Sequence, residues 1–370
     1  MEFMRCKRCI MDNSSDKTIT FDENGFCNYC KEALKIKNVV YFPNEEGNKK
    51  LTALLEQIKK DGKGKKYDCL MGVSGGLDSS YLLYLGHKWG LRIIAVHIDD
   101  GFNTNITKNN IKKLFDATKF KLITIKPNKE QFYALTKTYM KAGVPNLAVP
   151  QDNILFASIY EYAIKNDMKY FLSGENFSLE SILQKGNTHV PFDLKNLKDI
   201  HRKFKEKPIN KLNLISQYKL DRIRNFTKLN FVLPLNYINY NRDEALKELS
   251  DFCGFEYYGS KHLENILTTF VQLYWFPKKF GVDKRTSHLS SMIISEQLSR
   301  EKALQIYEEP LYEEDKMREY IDIIKTKLDI KDLEFGNIMN THPRQHTDYI
   351  TSKYMKIKPF LSKIKRKIKK

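Results

Sequence analysis

A glycine-rich turn between an apolar strand and a helix constrains this chain more than any other stretch. Cys69 to Val73 is a short apolar run, the pattern of a buried strand. Ser74-Gly75-Gly76-Leu77-Asp78-Ser79-Ser80 follows, and Ser79 to Trp89 carries apolar residues at helical spacing. Such a junction is an anion site: glycines let backbone N–H groups turn inward, and the helix start adds partial positive charge. Ser74, Ser79 and Ser80 add hydroxyl donors, and Asp78 stands where a carboxylate can hold magnesium on phosphates. A Walker loop is excluded because its lysine is missing, and the Gly-x-Gly-x-x-Gly dinucleotide pattern is absent. Gly72-Val73-Ser74-Gly75-Gly76 fits the Gly-x-Ser-x-Gly nucleophile elbow, which also sits on a strand–turn–helix. A plain glycine turn without a ligand is the bland alternative.

The surroundings point to an α/β enzyme. Arg92 to Ile98 reads as a second strand ending at Asp99-Asp100-Gly101, Lys121 to Lys126 as a third, and Lys169 to Leu172 as a fourth ending at Ser173-Gly174-Glu175-Asn176. Helices are expected between them at Asn105 to Lys119, Asn128 to Ala142 and Gln151 to Asp167, the last opened by Pro150. This alternation predicts a doubly wound parallel sheet, with Asp99 and the 173–176 turn on the ligand edge beside the phosphate loop. The segment 185–228 is basic, fits no strand and reads as an insertion beside that edge. Asn38 to Lys50 reads as a linker and Leu51 to Lys60 as a helix. Beyond a helix at Arg242 to Cys253, Lys261 to Trp275 is apolar and helical. Asp283-Lys284-Arg285 and His288-Leu289-Ser290-Ser291 then precede a helix at Met292 to Ser299, a mixture of cations and hydroxyls that suits a phosphate-like leaving group. Further helices at Glu301 to Tyr307, Glu313 to Leu328 and Lys331 to Met339 form a C-terminal helical region.

Cys6-x-x-Cys9 and Cys27-x-x-Cys30 are two close thiol pairs separated by 17 residues. With Asp22-Glu23-Asn24-Gly25 as the returning turn, they fit a tetrahedral zinc ribbon of structural type. A redox pair or an iron–sulfur cluster is the minor alternative. No apolar run approaches the roughly 18 residues of a membrane span, and Met1 to Cys9 has no signal-peptide core. A cytoplasmic enzyme is therefore expected, with its six cysteines outside structural disulfides. Net charge is +18, and 353–370 alone carries nine Lys/Arg and no acid, so that tail is either a solvated end or a contact for nucleic acid, membrane or an acidic partner. The expected organisation is a zinc module (1–37), a linker and helix (38–66), an α/β domain (67–255, with insertion 185–228), a helical region (256–340) and a basic tail (341–370).

Ser-Gly-Gly-x-Asp-Ser resembles the pyrophosphate loop of the N-type ATP pyrophosphatases, the PP-loop superfamily with its adenine nucleotide alpha hydrolase-like fold. With Cys6-Lys7-Arg8-Cys9-Ile10-Met11-Asp12, Asp99-Asp100-Gly101, Gly174-Glu175-Asn176 with Glu180, and the 283–291 block, the chain resembles the N-acetyl sugar amidotransferases over roughly 6–339. That resemblance implies conversion of a sugar N-acetyl group to an acetamidino group, for nonulosonic acids such as pseudaminic or legionaminic acid, or for lipopolysaccharide and flagellin glycosylation. It implies ATP and Mg2+, with Zn2+ on Cys6, Cys9, Cys27 and Cys30. A glutaminase and a cyclase-like companion of the histidine-biosynthesis type would supply ammonia. Ser74, Gly75, Gly76, Asp78, Ser79 and Ser80 would hold the phosphates and magnesium, with Asp99 and Gly174 at the nucleotide. Glu175, Asn176, Glu180 and His288 would face the sugar, and Lys284 and Arg285 would stabilise departing pyrophosphate.

Two rivals remain. A tRNA-modifying thiolase also pairs a zinc ribbon with this loop but needs further cleft cysteines, and here Cys69 and Cys253 are the remaining ones. A Ser74 hydrolase needs an acid and a histidine, for which His262 or His288 is available.

Overall fold

A computed structural model describes residues 2–227, 229–259, 263–355, 357 and 358. His262 and the end of the basic tail, 359–370, lie outside the described residues. In chain order the structure begins with α1 (Asn28–Val40), α2 (Glu45–Asp61), β1 (Cys69–Gly72), α3 (Leu77–Lys88), β2 (Ile93–Ile98), α4 (Asn105–Thr118) and β3 (Lys121–Ile125). Next come α5 (Lys129–Ala142), α6 (Val149–Lys165), β4 (Tyr170–Leu172), α7 (Phe177–Glu180), α8 (Leu194–Phe204), α9 (Gln217–Thr227) and β5 (Asn230–Val232). The last part holds α10 (Arg242–Cys253), α11 (Ile266–Phe270) running into a π-helical stretch (Val271–Phe280), α12 (Arg285–Ile294), α13 (Arg300–Glu308), α14 (Glu314–Leu328) and α15 (Asp332–Asn340).

These elements form two compact units. One comprises Met1–Ile125, Met168–Gly186 and Leu229–Ile321; the other comprises Lys126–Asp167, Asn187–Lys228 and Asp322–Lys370. The first holds the whole sheet, which is parallel in the order β3-β2-β1-β4-β5. The order reverses at β1, the doubly wound arrangement in which a ligand crevice opens at the carboxyl ends of β1 and β4. The central strands are uninterrupted apolar runs because a parallel sheet is covered on both faces. Met71, Ile93, Ala95, Leu172 and Val232 share a core with Leu82, Leu83 and Leu85 of α3, Ile58 of α2 and Leu249 of α10. Each such fully buried leucine or isoleucine contributes about 2 kcal/mol. Away from the crevice, Asp68 accepts from the Arg92 amide at 2.7 Å and from its guanidinium, fastening the start of β1 to the start of β2.

Three local expectations are corrected. The expected linker from Asn38 to Lys50 is mostly helix: α1 runs to Val40, and Asn44 caps α2 by accepting from the Gly47 amide at 3.2 Å. The expected helix from Met292 to Ser299 starts earlier, so Arg285 to Ser291 are its first turns rather than a loop before it. The hydroxyls there suit a buried helix because they find partners: Ser287 Oγ donates to Lys284 O, and Ser291 Oγ donates to Ser287 O. The basic segment 185–228, expected as an insertion beside the ligand edge, falls from residue 187 onward in the second unit. Its α8 and α9 bury Leu197, Ile200 and Leu220 within the second unit. There Asn153 of α6 donates to Pro191 O and Ile215 O at 2.8 Å each, pinning that segment through its backbone. Lys137 and Lys141 of α5 both pair with Glu334 of α15 at 3.0 Å.

Candidate active site

β1 delivers the chain into the glycine turn at the point where the sheet order reverses. Gly75 takes a left-handed φ of +87°, and a Cβ there would lie 2.6 Å from Thr107 Cγ2. Gly76 precedes α3, and the helix start carries no side-chain cap. The turn is knitted by hydroxyls: Gly76 N–H donates to Ser74 Oγ at 3.0 Å, Ser74 N–H to Ser79 Oγ at 3.3 Å, and Ser79 Oγ to Gly76 O at 3.2 Å. Ser74 and Ser79 Oγ are 3.3 Å apart. Ser80 departs from expectation: it is fully buried one turn into α3, its hydroxyl without a hydrogen-bond partner, so it is not presented to the loop.

Asp78 stands in the first turn of α3 and accepts from the Tyr240 hydroxyl. Tyr240 is buried, and burial followed by the charge of Asp78 raises its phenol well above the usual range. Tyr258 Oη accepts from Leu77 N–H at 2.7 Å, so a second phenol braces the same turn. Glu264 reaches in from the far part of the sequence and accepts from Ser74 Oγ at 3.3 Å. Sequence reasoning missed Tyr240, Tyr258 and Glu264. They lie 162, 181 and 190 positions from their partners, and no local pattern marks them.

The strand ends close the crevice. Gly174, after β4, lies directly on α3: a Cβ there would be 2.9 Å from Ser79 N and 3.0 Å from Ser79 Cα. Asp99 caps its own turn by accepting from Gly101 N–H at 3.1 Å. His97 of β2, another residue the motifs did not reveal, bonds Val73 O through Nδ1 at 2.7 Å and Asn103 Nδ2 through Nε2 at 2.9 Å. Val73 O accepts only, so His97 carries its proton on Nδ1, and burial lowers its pKa. Asp100, buried behind the turn, accepts from Phe102 N–H and from Asn265 Nδ2; burial pushes its pKa up to about 6.

The residues expected to face a sugar divide. Asn176 is buried and caps α7, accepting from Leu179 N–H at 3.0 Å and donating to Gly174 O at 3.1 Å, so it shapes the turn. Glu175 is exposed, and Glu180 and His288 are half-buried. The structure brings α7 and α12 together: Ile182 N–H donates to Ser291 Oγ at 2.9 Å, Gln184 Nε2 to Thr286 Oγ1 at 3.0 Å, and Ser295 Oγ to Ser178 O at 2.8 Å. Lys284, at the start of α12, is desolvated enough that its pKa falls to about 8, with Asp16 pulling the other way; its ammonium lies 5.2 Å from the Phe276 ring. Arg285 is committed to the fold. It makes a forked pair with Asp283 at 2.8–3.2 Å and donates to Glu309 O at 2.8 Å, so it is not turned toward the phosphate loop.

The four amino-terminal cysteines converge. All four sulfurs lie within 4.8 Å of one another, with Cys6–Cys30 at 3.8 Å and Cys9–Cys27 at 3.6 Å. Tetrahedral zinc thiolates with bonds near 2.3 Å place sulfurs about 3.8 Å apart, so the donor set fits. Backbone N–H groups of Cys9 and Cys27 point at Cys6 Sγ, and that of Cys30 at Cys27 Sγ, as thiolates require. This core is continuous with Phe177 and Ile182 around α7 and Ile294 of α12. Arg300 donates to Cys9 O and Cys6 O, and Ile10 N–H to Ser290 Oγ. The cysteine module therefore braces the helix that carries Lys284 and His288. Of the other cysteines, Cys69 is buried in β1 and burial raises its thiol, while Cys253 donates to Leu249 O at 3.4 Å. Cys69 is thus enclosed, and Cys253 is half-buried at the end of α10. Among the described residues, the partners of the Ser74 hydroxyl are Ser79, Gly76 and Glu264, and no histidine approaches it as a base.

Residues 264–365 match the family model described as LPS biosynthesis protein WbpG-like, C-terminal domain, and residues 68–178 match Queuosine biosynthesis protein QueC. The solved structures it is similar to include an NH3-dependent NAD synthetase from Campylobacter jejuni, 14% identical, covering 55% of this chain and 83% of that one with a TM-score of 0.29. An NMN synthetase from Francisella tularensis is 15% identical, with 64% and 94% covered and a TM-score of 0.30. A predicted subunit of tRNA methyltransferase from Methanocaldococcus jannaschii is 12% identical, with 59% and 90% covered and a TM-score of 0.31. No curated protein matches. Among the described residues, no helix is long and apolar enough to cross a membrane.

Proposed function

We propose that this chain, which joins a PP-loop domain of the QueC kind to a WbpG-like C-terminal domain, is the ATP-using subunit of an N-acetyl sugar amidotransferase. The observation that carries the reading is the crevice at the β1–β4 reversal, where a glycine cradle opens at a helix start and abuts the loop leading to α7. In that cradle the start of α3, with its partial positive charge, and the hydroxyls of Ser74 and Ser79 hold the β and γ phosphates. Asp78, held by Tyr240, has the donor chemistry for a divalent cation brought with ATP, which neutralises phosphate charge when bound.

The reaction follows from the chemistry of an amide. Its oxygen is a poor leaving group, so it first attacks the α-phosphorus of ATP in line, and pyrophosphate departs. Ammonia then adds to the carbon of the O-adenylyl imidate. That adduct loses a proton and expels AMP, which carries away the former amide oxygen and leaves an acetamidino group. Positioning and charge stabilisation drive both steps, so no protein nucleophile is needed. Lys284, whose amine is lowered toward neutrality by burial, is the better candidate of the 284–285 pair to meet developing charge. Asp99 borders the nucleotide, and Glu175, Glu180 and His288 border the sugar. Ammonia comes from a separate glutaminase with its cyclase-like companion, and the product feeds a surface glycan of the nonulosonic acid or lipopolysaccharide type. Zinc on the four cysteines has a structural role. The thiolase alternative is disfavoured by the burial of Cys69 and the engagement of Cys253.

The test is mass spectrometry of candidate N-acetyl sugars incubated with the protein, ATP, magnesium and ammonium. A product lighter by the difference between O and NH, formed in step with AMP and pyrophosphate, is expected. ADP as the nucleotide product refutes the mechanism.

A further inference from the structure

We propose that Glu264 acts with Asp78 as a second carboxylate for the divalent cation of the bound nucleotide, an inference that rests on the ATP reading above. The backbone fixes Glu264 at the crevice. Residues 264–266 run antiparallel past the exit of β2, with a bridge between Asn103 and Asn265. Thr104 N–H donates to Glu264 O at 3.2 Å, Ile266 N–H to Phe102 O at 2.8 Å, and Thr107 Oγ1 to Glu264 O at 2.7 Å. Asn265 Nδ2 is held by Asp100 at 3.1 Å.

Its carboxylate lies over the phosphate cradle. Oε1 accepts from Ser74 Oγ, and a Cβ built on Gly76 would meet the same oxygen at 2.7 Å. The residue is only 9% exposed. Asp78 stands in the first turn of the helix that Gly76 precedes. Burial raises the Tyr258 phenol, and the charges of Glu264 and Asp78 add to the effect.

Carboxylates beside a phosphate cradle oppose the binding of a polyphosphate, because like charges repel. A divalent cation between them reverses the sign: carboxylates are hard oxygen donors, and Mg2+ at nucleotide sites takes one or two of them together with phosphate oxygens. The glycine cradle is the independent sign of an anionic ligand, since its amides and close approaches serve phosphate rather than metal. Glu264 thus ties the opening of the C-terminal domain to the chemistry of the phosphate loop.

The experiment measures Mn2+ binding to the full-length protein by electron paramagnetic resonance, with and without a non-hydrolysable ATP analogue. Calorimetry follows binding of the analogue itself. Glu264→Gln is expected to weaken Mn2+ in the ternary complex by at least the roughly 10–100-fold that even outer-shell changes cost. Metal-free analogue should bind at least as well as to wild type, because a repelling charge is gone. Glu264→Asp keeps the charge one methylene further back and should fall between the two; it also serves if the glutamine variant fails to fold. Wild-type Mn2+ affinity in either folded variant, with the analogue still bound, overturns the role of Glu264 and leaves the ATP reading intact. No analogue binding by the wild type overturns both.

Discussion

Replacing Gly174 by alanine is the sharpest probe of the crevice, because it adds one methyl group and changes no charge. Gly174 does not need a left-handed φ, so the substitution carries no backbone strain of its own. Its cost is steric. The new Cβ would sit 2.9 Å from Ser79 N, 3.0 Å from Ser79 Cα and 3.1 Å from Asp78 C, all backbone atoms of the turn that opens α3. Backbone cannot swing aside as a side chain can, so the β4 loop and the helix start must separate by about 0.5 Å to restore ordinary contact. Overpacking of this kind costs roughly 1–3 kcal/mol, a few degrees in melting temperature for a protein of this size. The displaced turn bears the phosphate-loop amides, and shifts of that order at a reacting centre cost roughly tenfold or more in rate. The assay pairs scanning calorimetry with pyrophosphate release and nucleotide affinity. Gly336→Ala is the control: Gly336 lies in α15 with nothing within 4 Å of its Cβ position. There alanine should add about 0.5–1 kcal/mol through helix propensity. If Gly174→Ala lowers stability but leaves nucleotide affinity and pyrophosphate release untouched, the site is not at the head of α3. If it changes neither, the packing described is wrong.

Tyr240→Phe removes the hydroxyl that holds Asp78. A lost hydrogen bond to a carboxylate of about 1.5–3 kcal/mol should appear as weaker magnesium dependence of AMP formation, and an unchanged magnesium titration would show that Asp78 needs no such support. Cys27→Ser should lower bound zinc, measured by elemental analysis, and destabilise α12 along with the cysteine core; equal zinc in both proteins refutes the site. Asp100 has a folded pKa of about 6, above the ordinary carboxylate value near 4, so the native state holds its proton more tightly than the unfolded chain. Its contribution to stability therefore falls as pH rises from about 4 to about 6, by roughly 2–3 kcal/mol. Asp100→Asn should flatten that part of the stability–pH curve in chemical denaturation, and an identical curve would place the titration elsewhere.

The phosphate loop, the four-cysteine module and the strand–helix alternation were legible because each is a local pattern. Glycines beside hydroxyls, two Cys-x-x-Cys pairs and apolar runs of fixed period carry their meaning within a few residues. The same legibility misled where one composition serves two ends. The hydroxyl-rich 285–291 stretch looks like a loop yet lies in a buried helix, because Thr286, Ser290 and Ser291 bond to the segment that follows α7 and to the cysteine module. Asn176 reads as a ligand residue and proves to be a cap. Arg285 reads as a pyrophosphate clamp and is held by Asp283. β5, three residues long, gave no periodic signal and is recruited by pairing with β4. By itself the sequence determined that a glycine turn would sit at a strand–helix junction of a parallel sheet, and that two close cysteine pairs could hold a metal. Tertiary structure decided which side chains complete the crevice, because Tyr240, Tyr258 and Glu264 reach it across long separations, where only chain folding, and no neighbour-to-neighbour rule, sets who meets whom.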